Sequence, residues 1–152
     1  MRTAFRACFC VFLVCCALVL SSCTKESSPT QPGGETTATG TWGGAYSHRS
    51  SSGALETGTI SFVLVQNDGI VTGTYSAVSS AGESEAGTVK GLVLQAVFQG
   101  RMVASADSCT ITKTITGTFS GYSSGASFSA MYMGGSSCGP KWIDGQLNLS
   151  KQ

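Results

Sequence analysis

A three-residue tag, Gly-Thr followed by an apolar residue, recurs through this chain and constrains its fold more than any other feature. It stands at Gly40-Thr41-Trp42, Gly58-Thr59-Ile60, Gly73-Thr74-Tyr75, Gly87-Thr88-Val89 and Gly117-Thr118-Phe119. The separations are 18, 15, 14 and 30 residues, and the last is two of the others. A unit of roughly 15 residues is one strand plus a turn, so the tag predicts successive strands of an antiparallel meander. The plainest hairpin lies between two tags: Phe62-Val63-Leu64-Val65, the turn Gln66-Asn67-Asp68-Gly69, then Ile70 to Tyr75. Asp-Gly between β-branched runs is a strong hairpin signal, because glycine takes the positive φ of a tight turn.

No stretch beyond Gly40 has a helical period, and the period-two alternation extends the meander in both directions. Strand one, Gly40 to Ser47, places Trp42, Gly44 and Tyr46 on one face, and the polar stretch His48 to Glu56 reads as a loop. In strand three Val71, Gly73, Tyr75 and Ala77 share a face; Ser79 to Glu83 is a turn. Strand four runs from about Glu85 to Val93 and strand five from about Ala96 to Ser105. Strand six, Thr110 to Gly121, alternates most regularly, with a threonine face and an inward face of Ile111, Lys113, Ile115, Gly117 and Phe119. Strand seven, Ala126 to Met133, turns Phe128, Ala130 and Tyr132 inward, and strand eight, Trp142 to Leu149, turns Ile143, Gly145, Leu147 and Leu149 inward. Eight strands with one apolar face and glycines at inward positions predict an all-β, eight-stranded antiparallel up-and-down barrel over residues 40–152. A β-sandwich of the same strands is the alternative.

Residues 1–22 are expected to lie outside that fold. Arg2 and Arg6 form a basic start, and Ala7 to Leu20 is an uncharged apolar run of 14 residues, the length of a signal-peptide core rather than a membrane span. The run ends in Leu20-Ser21-Ser22-Cys23, which resembles the lipobox of bacterial lipoproteins. That resemblance implies a thioether lipid on Cys23, cleavage before it, and an acyl chain such as palmitate on the new amino terminus. Thr24, not being aspartate, implies the outer membrane by the sorting pattern of such lipoproteins. Residues 23–39 are then the lipidated cysteine and a flexible linker. Thr24 to Thr39 carries no large apolar residue and cannot offset its ordering entropy by burial.

The cysteines fit this division. Cys8, Cys10, Cys15 and Cys16 belong to the leader, Cys23 to the lipid, and Cys109 and Cys138 remain. A pair in an exported chain points to a disulfide closing a loop of about 28 residues. With one histidine in the chain there are too few ligands for a four-coordinate zinc site, so no metal or cofactor is expected.

Without the leader, seven Lys and Arg stand against eight Asp and Glu, a net charge of −1. The basic residues are scattered singly, which excludes the clustered basic face that nucleic acid requires. Catalysis has little support. His48 lies among serines, no Gly-x-Ser-x-Gly surrounds any serine on a strand-to-helix turn, and Glu83 and Glu85 read as solvated turn carboxylates.

Gly40-Thr41-Trp42 on the first strand of an eight-stranded barrel resembles the lipocalin and avidin, or calycin, pattern, and Asp68 to Tyr75 is similar to the second hairpin of the avidins. The likeness covers about a third of the domain and implies a barrel in which Tyr75 lines a ligand pocket. The serine that family carries two residues later is Ala77 here, and strands five to seven contain no tryptophan. The likeness therefore implies architecture more than biotin. If the barrel encloses a ligand, Trp42, Tyr75, Lys113, Phe128 and Tyr132 are placed to face it. Trp42 has a second reading, a plug at the barrel end, and Lys113 a second one, snorkelling to the rim. Three functions follow: a binder of a small apolar ligand, a binder of a protein such as a secreted enzyme, or a structural envelope module. The number of large inward rings predicts an interior that is mostly filled.

Overall fold

In a computed structural model that describes residues 37–121, 123–139 and 141–152, the alternation becomes the wall of a closed barrel. The expected leader at residues 1–22, the expected lipidation site Cys23 and the expected linker up to residue 36 lie outside the described residues. The strands are β1 Gly40–Arg49, β2 Leu55–Asn67, β3 Ile70–Ser79, β4 Ser84–Leu94, β5 Val97–Ala106, β6 Cys109–Ser120, β7 Ser127–Ser136 and β8 Lys141–Lys151. Each pairs antiparallel with its neighbour in sequence, and β1 closes on β8 with Tyr46 opposite Leu147. A barrel with no free edge satisfies every ladder, which is why a chain so rich in strand and so poor in helix signals can close.

The turns follow their chemistry. Asp68 and Gly69 both have positive φ, 47° and 82°, the primed turn that Asp-Gly announces. The β4–β5 turn uses Gln95 and Ala96 with positive φ, 49° and 69°, and so carries no glycine to mark it in the sequence.

The tag acquires a physical meaning in the barrel. Its threonine faces water, and at Gly58, Gly87 and Gly117 its glycine faces inward beneath a ring from the neighbouring strand. Tyr46 pairs with Gly58 and Tyr75 with Gly87, and a Cβ on either glycine would come within 2.6 or 2.8 Å of the tyrosine ring. Tyr132 lies on Gly145 in the same way. Glycine is required at these positions by close approach rather than by its backbone freedom.

Cys109, the first residue of β6, and Cys138, in the β7–β8 turn, form a disulfide with their Cα atoms 5.6 Å apart. Three sequence expectations shift. His48 is not in a loop, because β1 continues through Arg49, and the alternation that buries Trp42 and Tyr46 buries His48 too. Ile143 does not point inward. Tyr132 pairs with Gly145 but Gly134 pairs with Trp142, so β8 spends one extra residue in a bulge. That residue reverses the parity, leaving Ile143 51% exposed and turning Trp142 toward the interior. The linker also ends earlier than expected. Ala38 is fully buried, donates its N–H to Gln66 Oε1 at 2.8 Å and accepts from Trp42 Nε1 at 2.8 Å, since a buried indole N–H needs an acceptor.

Candidate functional site

The interior has two unlike halves. Where β1 enters, Trp42, Phe62, Phe98, Phe119 and Phe128 fill the barrel. Phe119 stacks on Phe128 with centroids 4.3 Å apart, and Trp42 lies 5.0 Å from Phe119. This end is closed. At the other end some inward positions are small, among them Ala77 and Ala104, and a cavity of about 220 Å³ remains.

Charged and phenolic side chains ring the cavity. Lys113, 5% exposed, donates to both oxygens of Glu85 at 2.7 and 2.8 Å. Its Nζ also lies 4.8 Å from the centroid of Trp142 and 5.7 Å from that of Tyr132. A buried ammonium is tolerated here because a carboxylate and two ring faces replace its water. Tyr75 donates its hydroxyl to Glu85 Oε1 as well. Across the cavity Tyr46 donates to Glu56 Oε1 at 2.9 Å. His48, 3% exposed, meets the Tyr132 hydroxyl at Nδ1, 2.7 Å away, and its Nε2 lies 3.4 Å from Glu56 Oε2. With Nδ1 accepting from the Tyr132 hydroxyl, the N–H sits on Nε2, beside the Glu56 carboxylate but without a hydrogen-bond partner.

Burial and the nearby carboxylates shift the tyrosines and the histidine of this site. Burial first, and then the hydrogen bonds to Glu56 and Glu85, push the Tyr46 and Tyr75 hydroxyls well above the usual phenol range. Burial does the same to Tyr132. All three are donors at every ordinary pH. Burial also holds the His48 imidazole below its usual value; Glu56 opposes this and Lys113 adds to it. The ring is neutral at pH 7.

Of the side chains placed to face a ligand, Lys113 and Tyr132 line the cavity. Tyr75 reaches it only through Glu85. Trp42 and Phe128 lie in the closed half, where Trp42 shuts the barrel end beneath Ala38 and Lys151. Lys113 does not snorkel to water; it turns to Glu85, so Glu85 is not the solvated turn carboxylate its neighbours suggested. His48, Glu56 and Trp142 were missed as site residues. Parity carried the signal for two of them: His48 is two residues beyond Tyr46, and Glu56 two before Gly58. For Trp142 the bulge hid it.

Searches against family models and against curated proteins return no match. Among solved structures, the chain is similar to a de novo designed fluorescence-activating β-barrel, with 23% identity over 75% of this chain and 93% of that one, at a TM-score of 0.42. It is also similar to Rv2717c from M. tuberculosis, with 13% identity, coverage of 75% and 92%, and a TM-score of 0.45. Similarity at this level carries no statement about ligand or activity.

Proposed function

We propose that the protein is a lipid-anchored envelope protein whose barrel binds a small molecule in its open half. The observation that carries this reading is the cavity of about 220 Å³, built from a buried ion pair, tyrosines held in place by glycines, and a histidine with an unpartnered nitrogen. A barrel interior needed only for stability is better filled with rings, as the other half is. The volume is below the roughly 300 to 1,000 Å³ of drug-sized sites, so the ligand is compact. The charged and phenolic groups set in a mixed lining move the expected ligand from wholly apolar to one with a polar group.

Binding is favoured over catalysis because His48 spends its accepting nitrogen on Tyr132 rather than on a nucleophile. Kinship with the calycins is part of the same proposal, supported by the strand order and by Trp42 on the first strand. The anchor rests on the basic start, the apolar run and Leu20 to Cys23.

Native mass spectrometry of the protein purified from its own cells tests the binding reading. A retained small molecule is expected, and a clean apo mass would move the function to a protein partner, such as an inhibited enzyme, or to a structural role. Cys23→Ser tests the anchor: the variant should accumulate as an unprocessed precursor that takes up no palmitate, and normal processing would refute the lipid.

A further inference from the structure

The charges and ring faces of the cavity indicate which class of small molecule it takes. Three carboxylates, Glu56, Glu83 and Glu85, line the space against a single ammonium, Lys113. Lys113 is matched by Glu85, the only carboxylate–ammonium pair among the described residues. Glu56 and Glu83 have no ammonium partner among the described residues, and burial holds the His48 beside them below its usual value. An anion entering this half-enclosed space would meet uncompensated like charge, whereas a cation would meet attraction.

Lys113 shows what the walls accept. Its ammonium is held by a carboxylate and lies over the faces of Trp142 and Tyr132, the arrangement that recognises organic cations elsewhere. The ring faces that hold the Lys113 ammonium favour an organic cation, and among the described residues no group of three His, Cys, Asp or Glu side chains is placed to hold a metal ion. A second mark is His48, which lines the cavity and whose buried Nε2, 3.4 Å from Glu56 Oε2, is without a hydrogen-bond partner. A buried donor left unmade is a sign of an incomplete site. A neutral acceptor group on the ligand, next to its charge, would complete it with a small shift of Glu56.

We infer that the cavity binds a compact organic ammonium compound bearing a hydroxyl or amide group, held by Glu56 and Glu83 and by the ring faces. The inference rests on the small-molecule reading above. The space equals roughly seven water volumes, which suits an amino alcohol and excludes a long acyl chain.

The chain carries its own control, since it has two tryptophans, Trp142 at the cavity and Trp42 in the closed end. The test is NMR of the indole N–H signals of the full chain in maltoside micelles, titrated separately with ethanolamine, choline and glycolate. Ethanolamine or choline is expected to move the Trp142 signal saturably and leave Trp42 in place, with no response to glycolate. Glu56→Gln and Glu83→Gln should each weaken that binding by roughly tenfold, the loss of one charge-assisted contact. Unchanged Trp42 signals certify that each variant is folded. If glycolate alone moves Trp142, the ligand class is overturned while the binding reading stands. If nothing moves Trp142 and the protein from its own cells is also apo, both fall.

Discussion

The two halves of this barrel are made from the same strands yet solve different problems. The half that Trp42 closes is packed with rings and contains no ionisable side chain among its largest buried residues. The half that Trp142 borders holds Lys113, Glu85, Glu56 and His48 around open space. Packed aromatic surface is the cheapest source of stability for a chain of this size, whereas buried ion pairs are often neutral or worse against apolar residues of the same volume. The difference teaches that stability comes from one end and recognition from the other, so damage to each end should be read out differently.

Phe119→Ala should break the closed half and give the largest effect. Phe119 is 2% exposed and touches Trp42, Phe98 and Phe128. Its loss should cost about 3 to 5 kcal/mol of unfolding free energy in urea titration, because the surrounding strands cannot collapse into the gap. A loss under about 1 kcal/mol would mean that the ring stack is not the stabilising centre of the barrel.

The disulfide comes next and belongs to the cavity end. Cys109→Ala with Cys138→Ala should cost about 3 to 4 kcal/mol by loop entropy. Because Cys138 lies in the turn that leads into Trp142, the NMR signals around Trp142 should broaden while those around Trp42 stay sharp. Equal broadening at both ends would show that the halves unfold as one.

Glu85→Ala leaves the Lys113 ammonium buried with no carboxylate, at a cost of about 3 kcal/mol, the low end for a broken buried pair because Glu85 is itself one-fifth exposed. Adding Lys113→Met should return most of that stability and remove the charged wall of the cavity. If the single variant costs no more than an exposed pair, about 1 kcal/mol or less, the pair is solvated and the contrast between the halves weakens.

Much of this architecture was legible because alternation is local: a threonine on one face fixes its neighbours on the other, as strand six shows from Ile111 to Phe119. Lys113 stood out because a charge broke an apolar face. The rest of the site was hidden by composition at the strand ends. Arg49 and the serines after it made His48 look like loop, and Glu85 looked like turn, although both continue the inward parity of Tyr46 and Gly87. Trp142 could not be read at all, because a bulge is a pairing event between strands and leaves no period in one of them.

The smallest expected effect is a pH dependence confined to the cavity end. Burial holds His48 below its usual value in the folded protein, so the unfolded chain binds the proton first as the pH falls. The stability contributed by the neutral ring is fully present above the ordinary histidine value, near pH 6.5, and is lost as the pH drops below it. The groups that decide the outcome are Glu56 at 3.4 Å, which welcomes the charge, and Lys113, which opposes it. Since Glu56 offsets part of the desolvation, the slope of stability between pH 7 and 5 should be shallow, and His48→Gln should flatten it further. Protonation would also set a second cation against the ligand cation, so ethanolamine affinity measured at Trp142 should fall on acidification. Trp42 should show no such titration. A midpoint seen equally at both indoles would mean that the proton acts on the whole barrel rather than on its open half.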